Sequence, residues 1–107
     1  MYDDAVRTNK ARRDLMTSLR AHGISNGGPN WRVDPLWHEV RVSRYGAHRM
    51  YVSVALSAVF VVRLHQHEAG NNWVVASTAR YAGAGEAAGC VKALLVAQVL
   101  AAGGGEA

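Results

Sequence analysis

Between Met50 and Leu64 every even position is apolar: Met50, Val52, Val54, Leu56, Ala58, Phe60, Val62 and Leu64. The odd positions are Tyr51, Ser53, Ala55, Ser57, Val59, Val61 and Arg63. An unbroken period of two sends successive side chains to opposite sides of a strand. A helix would scatter these residues around its axis, and a membrane span would need about 20 apolar residues in a row. The pattern predicts one long strand, continuing to about His67, with its even face buried.

The flanking segments follow other rhythms. Residues 3–22 read as an amphipathic helix, with Asp3 or Asp4 as N-cap and Gly23 as the stop. Ala5, Ala11, Leu15, Met16 and Leu19 share one arc with Arg12 intruding, while Arg7, Lys10, Arg13 and Arg20 share the opposite arc. Turn-forming residues fill 23–36, which reads as a connecting loop ended by Trp31 and Trp37. A first strand spans Trp37 to Tyr45. A turn of odd residue count, such as Gly46-Ala47-His48, pairs Val42 with Val52 and Val40 with Val54, burying all four. A two-residue turn within Gly70-Asn71-Asn72 leads into a third strand, with Trp73, Val75, Ser77 and Ala79 on the buried face. The last helix covers 86–102, packs through Ala87, Val91, Leu94, Leu95 and Val99, and leaves 103–107 as a flexible tail. Gly89 within it suggests close backbone approach.

The expected architecture is α+β: one domain over 1–107, ordered α-β-β-β-α. Its bent antiparallel three-stranded sheet is built on a long central strand, with two helices on one face. The order helix, three strands, helix, with Gly83 to Gly85 before the last helix, resembles double-stranded-RNA-binding domains from about Asp4 to Ala102. The resemblance is one of topology. Those domains open their second helix with lysines for phosphate, where this chain has Glu86-Ala87-Ala88-Gly89-Cys90-Val91-Lys92.

Composition narrows the chemistry. The net charge is +4, so an anionic partner is admissible. Ten arginines stand against two lysines, a bias that also fits a GC-rich coding sequence. One cysteine, Cys90, excludes an internal disulfide, and no basic-then-apolar leader follows Met1, so a cytoplasmic location is expected. No nucleotide fingerprint occurs, and no cofactor is expected. His65 and His67 project from one strand face as half a zinc site, but His38, His48 or Glu39 would have to complete it, so no metal is assigned. Cys90 in an Ala/Gly/Val helix reads as a small hydrophobe rather than a nucleophile. No acid, base or nucleophile pair is set by spacing, and the expectation is a non-enzymatic binding module.

The odd face of the sheet carries the most coherent set. Arg41, Tyr45, Arg49, Tyr51, Arg63, His65 and Arg80 form a basic and aromatic surface suited to single-stranded nucleic acid, with His67 and Thr78 beside them and Glu39 as the acidic member. The middle of that face is small and apolar, with Ala55, Val59 and Val61, and suits a protein partner. The alternative function is therefore a protein-interaction module, such as a small phage-type regulator or inhibitor acting on a host protein. In either case a homodimer through Val96 and Leu100 of the last helix is expected.

Overall fold

The computed structural model describes the backbone of residues 2–47 and 49–106, and the side chains of 5–47 and 49–98. Helix α1 is Tyr2–Ala21. Leu15 and Leu19 are fully buried, whereas Arg7, Lys10, Arg13 and Arg20 are exposed, as the two arcs predict. The helix stops where Gly23 turns left-handed at φ 80°. Gly23 N–H donates to Arg20 O and Ile24 N–H to Leu19 O, both at 2.9 Å. This is a Schellman ending, and the buried Ile24 supplies its apolar contact.

Five antiparallel strands follow in simple sequence order: β1 Trp31–Pro35, β2 Glu39–Arg44, β3 Met50–Leu56, β4 Phe60–Glu68 and β5 Asn72–Tyr81. The α+β class stands, but two strands were not expected. The segment read as a loop over 23–36 contains β1, which pairs Val33 with Val42. The segment read as one long strand is a hairpin, with Leu56 opposite Phe60 across Ser57-Ala58-Val59. That turn has three residues, so even positions still face even positions, Val52 to Leu64 and Val54 to Val62. The two-residue rhythm therefore passes through the reversal unbroken. With five strands, the helix–three strands–helix order of double-stranded-RNA-binding domains does not hold.

The β2–β3 connection keeps the predicted parity: Val42 pairs with Val52 and Val40 with Val54. The β4–β5 connection does not. Glu68 pairs with Asn72 across a three-residue turn, in which Gly70 and Asn71 both take positive φ. Trp73 therefore faces His67 and Val75 faces His65. The register then slips by one residue between Leu64 and His65, and Ser77 and Ala79 return opposite Leu64 and Val62. Of the four residues expected on the helix side, Ser77 and Ala79 are there. Trp73 and Val75 lie on the other face.

Helix α2 is Ala84–Glu106, starting earlier and running further than 86–102. Glycines at 103–105 lower helix propensity but still supply the backbone N–H that a helix needs. Ala87, Ala88, Val91 and Leu95 are buried in one cluster with Leu15 and Leu19 of α1 and with Val33, Val40, Val42, Val52, Val54, Phe60, Val62 and Leu64 of the sheet. Both helices thus cover the same face, and the opposite face is open. Gly89 approaches a side chain rather than a backbone: a Cβ there would sit 3.6 Å from His22 Cε1. The side chains of Val99 and Leu100 lie outside the described residues. Among the described residues no helix is long and apolar enough to cross a membrane.

Arg12, the intruder on the apolar arc of α1, has a structural use. Its guanidinium donates to Leu36 O at 3.1 Å and to Trp37 O at 2.7 Å, and its other terminal nitrogen donates to Asn9 Oδ1. These bonds tie the β1–β2 turn to the helix. Trp37 itself is 61% exposed, so of the two indoles only Trp31 packs against the core, with Arg44 over its ring at 4.9 Å.

Candidate nucleic-acid interface

The ladder registers determine which residues meet on the open face. One row crosses Asp34, Arg41, Ser53, Arg63 and Thr78, and another crosses Glu39, Ala55, Val61 and Arg80. A third joins Tyr51, His65 and Val75, with His67 and Trp73 beyond it. Period-two geometry brings these side chains to one side because each strand is in phase with its neighbour.

Four rings cluster at one end of this face. Tyr51 and His65 stack with centroids 4.3 Å apart and planes 8° from parallel. Trp73 meets Tyr51 edge-on at 5.0 Å and His67 edge-on at 5.1 Å. The Arg41 guanidinium lies over the Tyr51 ring at 5.4 Å. Trp73 remains 48% exposed, which leaves much of its indole open to solvent. A shallow cleft of about 440 Å³ beside the cluster is lined by Arg32, Asp34, Arg41, Ser43, Arg49, Met50, Tyr51 and Trp73. Arg49 reaches it from a left-handed turn position at φ 59°, where its carbonyl accepts the His67 N–H at 2.8 Å.

Charge on the face is mixed but basic. Arg32 pairs with Asp34 at 3.0 Å and Arg41 with Glu39 at 3.1 Å. Glu39, by its hydrogen bond and its charge, raises the Arg41 pKa above its usual value. Among the described residues, Arg49, Arg63 and Arg80 have no carboxylate partner. Below them Ser53 is buried, with Oγ 2.8 Å from His65 Nε2. Partial burial lowers the His65 pKa, Arg41 and Arg63 lower it further, and Glu39 opposes them.

Of the predicted site, Arg41, Tyr51, Arg63, His65 and Arg80 share the open face, and Arg49 joins them through the cleft. Tyr45 does not join the cluster. It lies past the end of β2, 84% exposed, beside Pro29, Asn30 and Trp31. The small apolar patch is reduced: Ala55 is half-buried, Val59 is exposed at the turn, and Val61 is already 8% exposed within the fold. Val96 is half-buried on α2, and the side chain of Leu100 lies outside the described residues. Trp73, Arg32 and Asp34 are additions. Alternation in Trp31-Arg32-Val33-Asp34 signals the last two, but nothing in the residue types announces the three-residue turn that moves Trp73.

His65 and His67 are engaged with rings and with Ser53, while His48 lies outside the described residues. Among the described residues no three His, Cys, Asp or Glu side chains converge as metal ligands. Cys90 is half-buried and packs against the core. No protein-family model, curated protein or solved structure matches the chain.

Proposed function

We propose that the protein is a non-enzymatic module binding single-stranded nucleic acid across the open face of its sheet. The observation that carries this reading is the exposed Trp73 indole, held against Tyr51 and His67 and flanked by arginines on the same face. Unpaired bases need rings to stack on, and the phosphates between them need cations. Trp73 is the open stacking surface. Tyr51, with His65 against one side and Arg41 over the ring, braces it from below. Arg49, Arg63 and Arg80 are the phosphate contacts, because no carboxylate among the described residues neutralises them.

Fluorescence anisotropy with labelled single- and double-stranded oligonucleotides, at low and moderate salt, tests the reading. Single strands are expected to bind more tightly than duplexes, with affinity falling as salt rises and counterions are less readily released. Trp73→Ala is expected to weaken binding by roughly 1–3 kcal/mol, and replacing Arg49, Arg63 and Arg80 together to abolish it. A bulky charge at Ala55 or Val59 should matter less; if it is the damaging change in a pull-down, the partner is a protein. Absence of binding at low salt, where the electrostatic attraction is strongest, overturns the nucleic-acid reading.

A further inference from the structure

The two edges of the sheet are finished differently. β1 is five residues long and ends at Pro35. The outward backbone of its middle residue is occupied: Asn26 Nδ2 donates to Val33 O at 2.6 Å, and Val33 N–H donates to Asn26 Oδ1. β5 is ten residues long and carries one charge, Arg80, with no lysine or proline. Its backbone pairs with β4, and among the described residues no other group bonds to its outer edge. A bare row of alternating N–H and C=O groups is a template for another strand.

The register slip gives this edge a particular symmetry. Before the slip the open-face residues are Trp73 and Val75, and after it they are Thr78 and Arg80. We infer that β5 pairs antiparallel with β5 of a second copy about a two-fold axis normal to the sheet, Asn72 lying opposite Tyr81 of the partner subunit. In that register Trp73 lies opposite Arg80 of the partner subunit, and Val75 opposite Thr78 of the partner subunit. Each open-face residue therefore meets an open-face residue. A regular strand of ten residues cannot do this, since pairing its first residue with its last opposes odd positions to even ones and hence opposite faces. The slip restores the match. Ala76 and Ser77 flank the axis, both exposed and small enough to accommodate the local bend.

The cross-strand pairs are also compatible. An indole meets a guanidinium, a β-branched residue meets another, and no like charges are opposed. The contact is isologous and closes on itself, and because Asn26 occupies the middle of the β1 edge the assembly stops at two copies. The pairing does not depend on what the open face binds.

Size-exclusion chromatography with light scattering on the full chain, over a wide concentration range, tests this. The wild type should run at twice the chain mass. Val75→Lys with Thr78→Lys opposes like charges across the axis and should return the mass to that of one chain, with far-UV circular dichroism unchanged. Val75→Lys with Thr78→Glu opposes unlike charges at the same two positions and should restore the twofold mass. A wild type that stays at one chain mass overturns the inference. So does a double-lysine variant that remains dimeric, or a lysine–glutamate variant as dissociated as the double-lysine one.

Discussion

Ser53 Oγ lies 2.8 Å from His65 Nε2 on the open face, linking the row that carries Arg41 and Arg63 to the aromatic row of Tyr51. Among the described residues Ser53 is the one buried polar side chain, and the imidazole is its partner. The bond joins β3 to β4 on the side that no helix covers. It also fixes the ring that stacks on Tyr51, so the aromatic cluster and the polar centre of the face form one unit.

Stability should depend on pH through His65. Its folded pKa is lowered, chiefly by burial and then by Arg41 and Arg63, with Glu39 acting the other way. The unfolded chain therefore takes up this proton at a higher pH than the folded one. Its contribution is fully present above the ordinary histidine value of about 6.5 and is lost as pH falls from there through the lowered folded value. Urea midpoints of wild type and His65→Gln across this range give the measurement. The wild type should lose stability on acidification more steeply than the variant, and parallel curves would exclude His65 as the source.

Removing the Ser53 hydroxyl tests the same pair from the other side. Ser53→Ala leaves a half-buried imidazole nitrogen without its partner and should cost about 1 kcal/mol. The Tyr51–His65 stack should loosen with it, visible as altered ring-proton shifts for both residues. A variant of unchanged stability and unchanged shifts would show that the bond contributes nothing.

The β3–β4 hairpin rests on a different contact. Leu56 and Phe60 are paired and both buried, closing the core at the turn end. Ser57 Oγ donates to Val59 O at 2.6 Å and holds the turn between them. Phe60→Ala should cost roughly 3–5 kcal/mol, read as a lower urea midpoint with little change in slope.

That hairpin explains why the fold was only partly legible. The rhythm from Met50 to Leu64 identifies Val52, Val54, Leu56, Phe60, Val62 and Leu64 as buried but misses the chain path, because an odd-numbered turn preserves the phase; Ala58 sits exposed in that turn and Met50 is half-buried. The same parity makes Arg41 and Arg63 legible as companions, whereas Arg80 joins them because the three-residue turn and the register slip offset each other. β1 was hidden by its length and by the turn residues around it, although Trp31 and Val33 alternate with Arg32 and Asp34. Trp73 was misplaced for a subtler reason. Its face follows from a three-residue turn, and the return of Ser77 and Ala79 to the helix side follows from the slip. Side-chain chemistry encodes neither.

Arg12 should matter more than its position on a helix surface suggests. It donates to two carbonyls of the β1–β2 turn, Leu36 and Trp37, and a charged donor strengthens such bonds. Arg12→Ala should cost about 1–3 kcal/mol. Arg13→Ala, on the exposed arc of the same helix, is the control and should be near neutral. Equal effects for the two would show that the turn contact contributes nothing, since alanine is the better helix former at both positions.

Gly89 should be replaceable with a gain. Glycine within a helix costs roughly 1 kcal/mol relative to alanine, so replacement gains stability wherever the site can accept a Cβ. Here it can: the nearest atoms to an added Cβ are His22 Cε1 at 3.6 Å and Nε2 at 3.8 Å, both ordinary contacts. Those atoms also belong to a side chain that can rotate, not to the backbone of α1. Gly89→Ala should therefore raise the unfolding free energy by about 0.5–1 kcal/mol, with an unchanged urea slope. Gly89→Val supplies the contrast, because its branched side chain would press on His22 and force the two helices apart. A loss of stability in Gly89→Ala would show that α1 and α2 pack more closely at this point than the His22 contact indicates.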